Sequence, residues 1–391
     1  MNKRLASGIG LSAATLLLVV GGAWLLSLPP APPAKSAPPI PDDEAEAILS
    51  ALKPPKRPRP LIAVIGINDA TETTDYLMPT GILRRADVAH VVALATKAGP
   101  VTLFPVLTVE PDATVADFDA RYPDGADYVV VPAMSRDDDP MALRWIRNQA
   151  AKGAIVIGVC AGAKVVAEAG LLDGKRATTH WYYLDEMRDR HPTIRYVPDR
   201  RLVVDDGVIT TTGISASMPM ALTLIEAIAG RHKAEAVARD LGLTHWDARH
   251  DSDEFTFTRP FALTAIGNSL AFWKRETFGM ELEPGIDEVA LALVADAWTR
   301  TYRSRAVTFA STAKARPTRN GIRIVPDTVA TVWPVQQRLP SVREPPARAL
   351  DRALQSIAAR YGRRTADFVA MQLEYPREHR NEGTVRDLHA L

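Results

Sequence analysis

The stretch that decides the architecture runs Ala154-Ile155-Val156-Ile157-Gly158-Val159-Cys160-Ala161-Gly162-Ala163-Lys164-Val165-Val166-Ala167-Glu168-Ala169-Gly170. It opens on an apolar run without alternation, as expected for a strand covered on both faces, the usual setting of a parallel strand. Small residues follow at once, and then a helical pattern from Lys164 to Ala169 that Gly170 closes. The chain therefore turns from strand to helix through a tight corner with Cys160 at its tip, the thiol counterpart of the serine elbow of hydrolases. A helix N-terminus beside a thiol supplies partial positive charge and free amides, which lowers the thiol pKa and can hold an oxyanion. Cys160 is the one cysteine of 391 residues. No internal disulfide and no cysteine-rich zinc site can form, so the thiol is either an inert core group or a reactive one.

The same alternation extends upstream. Leu61 to Ile67, Val101 to Phe104 and Asp127 to Pro132 read as strands, and Tyr76 to Ala86 and Pro140 to Lys152 as helices. Apolar strands alternating with helices predict a doubly wound parallel sheet with helices on both faces, and ligands then sit beyond the carboxyl ends of the strands. Asp137-Asp138-Asp139 precedes the second helix and matches its dipole. With 47 basic against 46 acidic residues scattered along the chain, the net charge is +1, which argues against a nucleic-acid partner.

The N-terminus has its own signature. After Lys3 and Arg4, residues from Leu5 to Leu28 carry no charge. At about 1.5 Å per residue, such a run can cross a hydrocarbon core of about 30 Å. It is longer than the apolar region of a cleaved signal peptide, so residues 1–28 are read first as a retained membrane anchor, with a cleaved signal segment as the other reading. Lys3 and Arg4 then predict a single-pass inner-membrane protein with its globular part in the periplasm. Residues 29–60 are Pro-rich and are expected to form an extended linker.

Three blocks carry a resemblance. They are Gly158 to Ala163, then Ala169-Gly170-Leu171-Leu172-Asp173-Gly174-Lys175-Arg176-Ala177-Thr178-Thr179-His180-Trp181, then Val208 to Leu222. In order and spacing they resemble the ThiJ/PfpI family of the class I glutamine amidotransferase-like superfamily, in the subgroup that includes isonitrile hydratases and the N-terminal domain of AraC-type regulators. The resemblance implies a flavodoxin-like domain over residues 61–245 with Cys160 as nucleophile. It places His180 near the cysteine, and Asp75, four positions before Pro79, against it. Backbone amides of Ala161, Gly162 and Ala133 become the oxyanion donors. This chain departs from the pattern at Ala133-Met134, where the family often has a Gly-Gly pair, and at Ala161, where isonitrile hydratases have a threonine. Outside the resemblance, each residue has a plainer reading: Cys160 as a core thiol, His180 packed on Trp181, and Asp75 as a helix cap.

Beyond a connector at residues 246–280, residues 281–391 resemble a partial, degenerate second α/β repeat. Gly285 to Leu293, Arg305 to Ala310 and Thr318 to Asp327 are similar to the opening of such a domain, and Ala349 to Gln372 echoes Ala221 to Leu241. No second cysteine elbow is present, and the paired helix-turn-helix units of the regulators are not visible. Either a homodimer or an intramolecular pseudo-dimer follows. No cofactor and no metal are called for; His245 and His250 lack a third ligand and read as surface or inter-domain residues. The expected function is a cysteine-dependent hydrolase or lyase acting on a small molecule such as an amide, an aldehyde adduct or an isonitrile. The other reading is a non-catalytic ligand-binding or sensing module.

Overall fold

The computed structural model describes residues 19–33, 35–340 and 342–376. Helix α1 is described over residues 19–27, and α2 spans Asp42–Ala51. The first α/β unit then runs β1 (Leu61–Gly66), β2 (Asp69–Glu72), α3 (Thr73–Ala86), β3 (His90–Ala95), β4 (Val101–Phe104), β5 (Thr108–Glu110), β6 (Ala113–Thr114), α4 (Val115–Arg121), β7 (Tyr128–Val131), α5 (Pro140–Ala151), β8 (Ile155–Gly158) and α6 (Gly162–Glu168). It continues through β9 (Arg176–Ala177), α7 (Leu184–Arg190), β10 (Arg195–Tyr196), β11 (Leu202–Asp205), β12 (Val208–Thr211), α8 (Ser217–Ala229) and α9 (Arg231–Leu241). Seven strands form one sheet in the order β11-β12-β8-β7-β1-β3-β6, parallel except for β11 on β12. Strands β1, β7 and β8 are buried along their whole length, as their unbroken apolar runs require. Strand β3, not foreseen from the sequence, lies beside β1. Strand β4, expected in this sheet, joins a separate one, β15-β16-β5-β4-β2.

The C-terminal part begins with α10 (Arg259–Leu270) and β13 (Glu276–Glu281), then α11 (Glu288–Thr299), β14 (Ser304–Ala310), β15 (Arg316–Pro317), β16 (Arg323–Val325), β17 (Thr328–Val329), α12 (Pro346–Tyr361) and α13 (Arg363–Gln372). Its element order follows that of the first unit at one constant offset, visible in Leu61 and Glu276, in Thr108 and Arg323, and in the bridged pairs Leu94–Ala113 and Phe309–Thr328. A shared detail supports the match: the amide of Ala93 donates to Asp112 Oδ2 at 2.6 Å, and that of Thr308 to Asp327 Oδ2 at 2.7 Å. Both units end in two helices hinged at a left-handed glycine, Gly230 (φ 84) and Gly362 (φ 90). Among the described residues between β17 and α12, the C-terminal part has nothing comparable to the segment from β7 to α6.

Two expectations about the N-terminus are corrected. Among the described residues no helix is long and apolar enough to cross a membrane, so the transmembrane anchor and the single-pass inner-membrane placement are not supported. The described residues of α1 would reach about 14 Å at 1.5 Å each, half of what a span needs. The remainder of the apolar run, residues 5–18, lies outside the described residues. Residues 29–60 are not a free spacer. The backbone amides of Lys56 and Arg57 both bind Asp127 Oδ1 at 3.1 Å, Arg200 grips Glu44 through two bonds, and Ile48 and Leu52 of α2 are buried. Polar anchors and two apolar side chains hold the segment to the domain.

Candidate functional site

Cys160 stands where β8 hands over to α6, in the left-handed region at φ 58. For a residue with a Cβ that conformation costs roughly 1–2 kcal/mol. The surroundings impose it. The Cys160 amide donates to Thr211 Oγ1 at 3.1 Å, and its carbonyl accepts from Thr179 Oγ1 at 3.1 Å. Gly162 is obligatory, because a Cβ there would drive into the Val131 carbonyl oxygen. The thiol is 4% exposed and lines a cavity of about 790 Å³, with Ala133, His180, Tyr183, Phe261 and Arg300 also on its wall.

Asp75 lies in the first turn of α3, fully buried. Its Oδ2 accepts the Ala133 amide at 3.2 Å, while Oδ1 has no hydrogen-bond partner among the described residues. Burial, followed by the neighbouring Glu72, pushes this carboxyl well above the usual carboxylate range. The protonated form of Asp75 is thereby favoured. Asp75 is not the helix cap, since Glu72 fills that role by accepting the Asp75 amide at 2.6 Å.

The thiol departs from expectation. Burial pushes its pKa well up, and Asp75, Glu72 and Glu374 push in the same direction. Against them stands one hydrogen bond from the Ala161 amide. A short helix end cannot offset desolvation plus three acidic neighbours, so the sulfur rests as S–H.

The other expected residues are placed as follows. His180 is buried in the cavity wall. Its Nδ1 accepts the Tyr182 amide at 3.1 Å, and Nε2 sits 3.0 Å from the Gln372 carbonyl, which fixes the proton on Nε2. Burial lowers its pKa, so the ring is neutral and both nitrogens are committed to backbone. Of the amides expected to form an oxyanion hole, that of Gly162 donates to the Val159 carbonyl at 2.7 Å and that of Ala133 to Asp75. Only the Ala161 amide addresses the sulfur. His245 and His250 are separated by environment: His250 is buried and stacked on Phe255, and His245 is on the surface beside Thr244. Among the described residues no group of three or more His, Cys, Asp or Glu is placed to hold a metal. Asp139 caps α5, and Asp137 binds Lys164 at 3.0 Å.

Sequence reasoning missed Glu72 and Arg300. Glu72 Oε1 pairs with Arg300 Nη2 at 2.7 Å, Arg300 Nε binds Asp296 Oδ1 at 2.7 Å, and Gln372 Nε2 donates to the Arg300 carbonyl at 3.0 Å. The capping pattern at the start of α3 could have exposed Glu72. Nothing local marks Arg300.

A thiol on a strained elbow, at the carboxyl edge of a doubly wound sheet and beside a buried acid, defines a class of α/β proteins with a cysteine-centred site. Residues 62–227 match the model of the DJ-1/PfpI family, and this part of the chain is a domain of that family. The chain is 40% identical to the isonitrile hydratase of Pseudomonas putida over 147 residues, covering 36% of this chain and 60% of that protein. It is 34% identical over 112 residues to the HTH-type transcriptional regulator CdhR of Pseudomonas aeruginosa, covering 29% of this chain and 33% of the regulator. The chain thus spans less than two thirds of either relative. Among solved structures, Drosophila melanogaster DJ-1beta aligns with 48% of this chain and all of its own length at 23% identity, with a TM-score of 0.43.

Proposed function

We propose that the protein is a cysteine-dependent hydrolase or lyase that begins by adding the Cys160 thiol across a polarised multiple bond of a small neutral molecule. The observation behind this is a thiol on the cavity wall with the fully buried Asp75 carboxyl behind it, in both of which burial favours the protonated form. A resting thiolate is the usual arrangement for displacing a leaving group. A neutral S–H beside a neutral carboxyl suits addition instead. With an isonitrile the sulfur bonds to the terminal carbon, the same carbon takes a proton from Asp75, and the carboxylate so formed accepts the thiol proton, leaving a thioimidate on the sulfur. Water then adds to the C=N carbon of that thioimidate, the C–S bond breaks as the sulfur takes back a proton, and an N-substituted formamide leaves with the thiol restored. Isonitriles offer a carbon that completes this cycle, aldehydes undergo the addition step alone, and the likeness to an isonitrile hydratase over the domain points the same way.

Neutral His180 orients the wall and transfers no proton, and the Ala161 amide steadies the sulfur as charge develops on it. The committed state of His180 and the raised thiol also favour a second reading, a ligand-binding module that retains an enzyme's pocket. One experiment separates them: turnover of alkyl isonitriles by the wild type and by Cys160→Ala, with intact-mass detection of adducts. The proposal expects turnover and a single adduct on the wild type, both absent from Cys160→Ala. Ligand-induced stabilisation equal in both proteins, without turnover, would instead support the binding module.

A further inference from the structure

The two units meet through α3 and α11, which pack face to face and bring Gly81 so close to Glu288 and Val289 that a Cβ there would collide with both. The contact is reciprocal. The carboxylate capping α3, Glu72, binds Arg300 at the end of α11, and the carboxylate capping α11, Asp287, binds Arg85 near the end of α3 at 2.5 Å. Strand β5 pairs antiparallel with β16, its counterpart at the same offset. Residue i touching j while the counterpart of j touches the counterpart of i is the pattern of an isologous two-fold interface, here drawn within one chain.

We infer that residues 276–375 take the place a second copy would occupy against α3, and that Arg300, supplied by this built-in partner, is a positioning residue for the Cys160 site. The inference rests on the thiol chemistry proposed above. Arg300 lines the same cavity as the sulfur. Two of its nitrogens are held, Nε by Asp296 and Nη2 by Glu72, so the guanidinium is fixed in direction. Through Glu72 it anchors the turn that presents Asp75, and its charge reaches the thiol. The groups that face the sulfur are Asp75 and Glu72 at the start of α3, Lys164 on α6, His180 and Tyr183 after β9, Glu374 after α13, and Arg300 on the turn after α11. Arg300 is the cation among them that is locked between two carboxylates. Its counterpart Arg85 stands in an equivalent pair where the chain has no elbow, so it serves as an internal control.

The test is the pH dependence of Cys160 alkylation by iodoacetamide in the full chain, for wild type, Arg300→Gln, Arg300→Lys and Arg85→Gln, with folding checked by circular dichroism. Arg300→Gln should raise the midpoint by about one pH unit, a roughly tenfold slower reaction below the midpoint. Arg300→Lys should recover about half of that shift, because the charge is kept and the two-point hold is lost, and Arg85→Gln should stay within about twofold of wild type. Equal shifts in Arg300→Gln and Arg85→Gln, or an Arg300→Gln profile that overlays the wild type, would overturn the assignment. Should Arg300→Gln fail to fold, Arg300→Lys decides: a midpoint displaced upward while Arg85→Gln is not supports it, and an unmoved midpoint overturns it. A wild-type thiol that no pH renders alkylatable would remove the thiol chemistry itself, a different result from an unmoved profile.

Discussion

The starts of α3 and α11 share a plan and differ in what surrounds it. Both are capped by a carboxylate that receives an arginine from the other helix. At α3 the cap is followed by Asp75, and the arriving arginine is held at Nε by Asp296. At α11 the position matching Asp75 is Ala290, and the position matching Asp296 is Gly81, so the Nε of Arg85 has no partner among the described residues. The capping plan recurs on both sides; the elbow side adds buried Asp75 and Asp296, whereas the buried carboxyl that follows the α11 cap, Glu288, is taken up by Asn320. Buried carboxyls are costly unless paired, and their concentration beside the elbow points to a chemical use.

The comparison can be broken or sharpened at several points. The largest effect is expected from Gly162→Ala, whose Cβ meets the Val131 carbonyl: a loss of about 3 kcal/mol or more, read by chemical denaturation. Asp296→Asn should come next. Burial, set against Arg300, raises the Asp296 pKa to about 7 from 3.8. The folded state therefore holds a proton that the unfolded chain releases between these values, so stability present below about pH 4 is lost as pH rises through about 7. The wild type should lose on the order of 2 kcal/mol more than Asp296→Asn over that range. A parallel pair of curves would show that Asp296 is ionised throughout. Gly81→Ala presses on the contact between the units and should cost about 1–2 kcal/mol while leaving the alkylation midpoint in place. Smallest of all is His180→Gln, expected to shift that midpoint by less than about 0.3 units, because the neutral ring is bound only to backbone.

Legibility followed the range of the interactions. Strands β1, β7 and β8 could be read because their burial is written as unbroken apolar runs, and the elbow because its small residues are adjacent in the chain. Strand β3 was missed although Val91 to Ala95 is apolar, since it sits between the charged end of α3 and the Lys97 turn. The place of β4 in a second sheet depends on β16, far along the chain. Cys160 and Asp75 came from motifs. Their ionisation did not, because the raised thiol and acid arise from Glu72, Glu374 and depth of burial, which only the folded chain brings together. The pair Glu72–Arg300 joins two units and has no local signal.

The most direct test of the addition chemistry is the rate of adduct formation on Cys160 with a small aldehyde, compared between the wild type and Asp75→Asn by intact mass at pH 7. Asparagine is isosteric with the neutral acid and keeps the fold, yet it has no proton to give. The account predicts a rate at least about tenfold lower in Asp75→Asn; equal rates in the two proteins would contradict it.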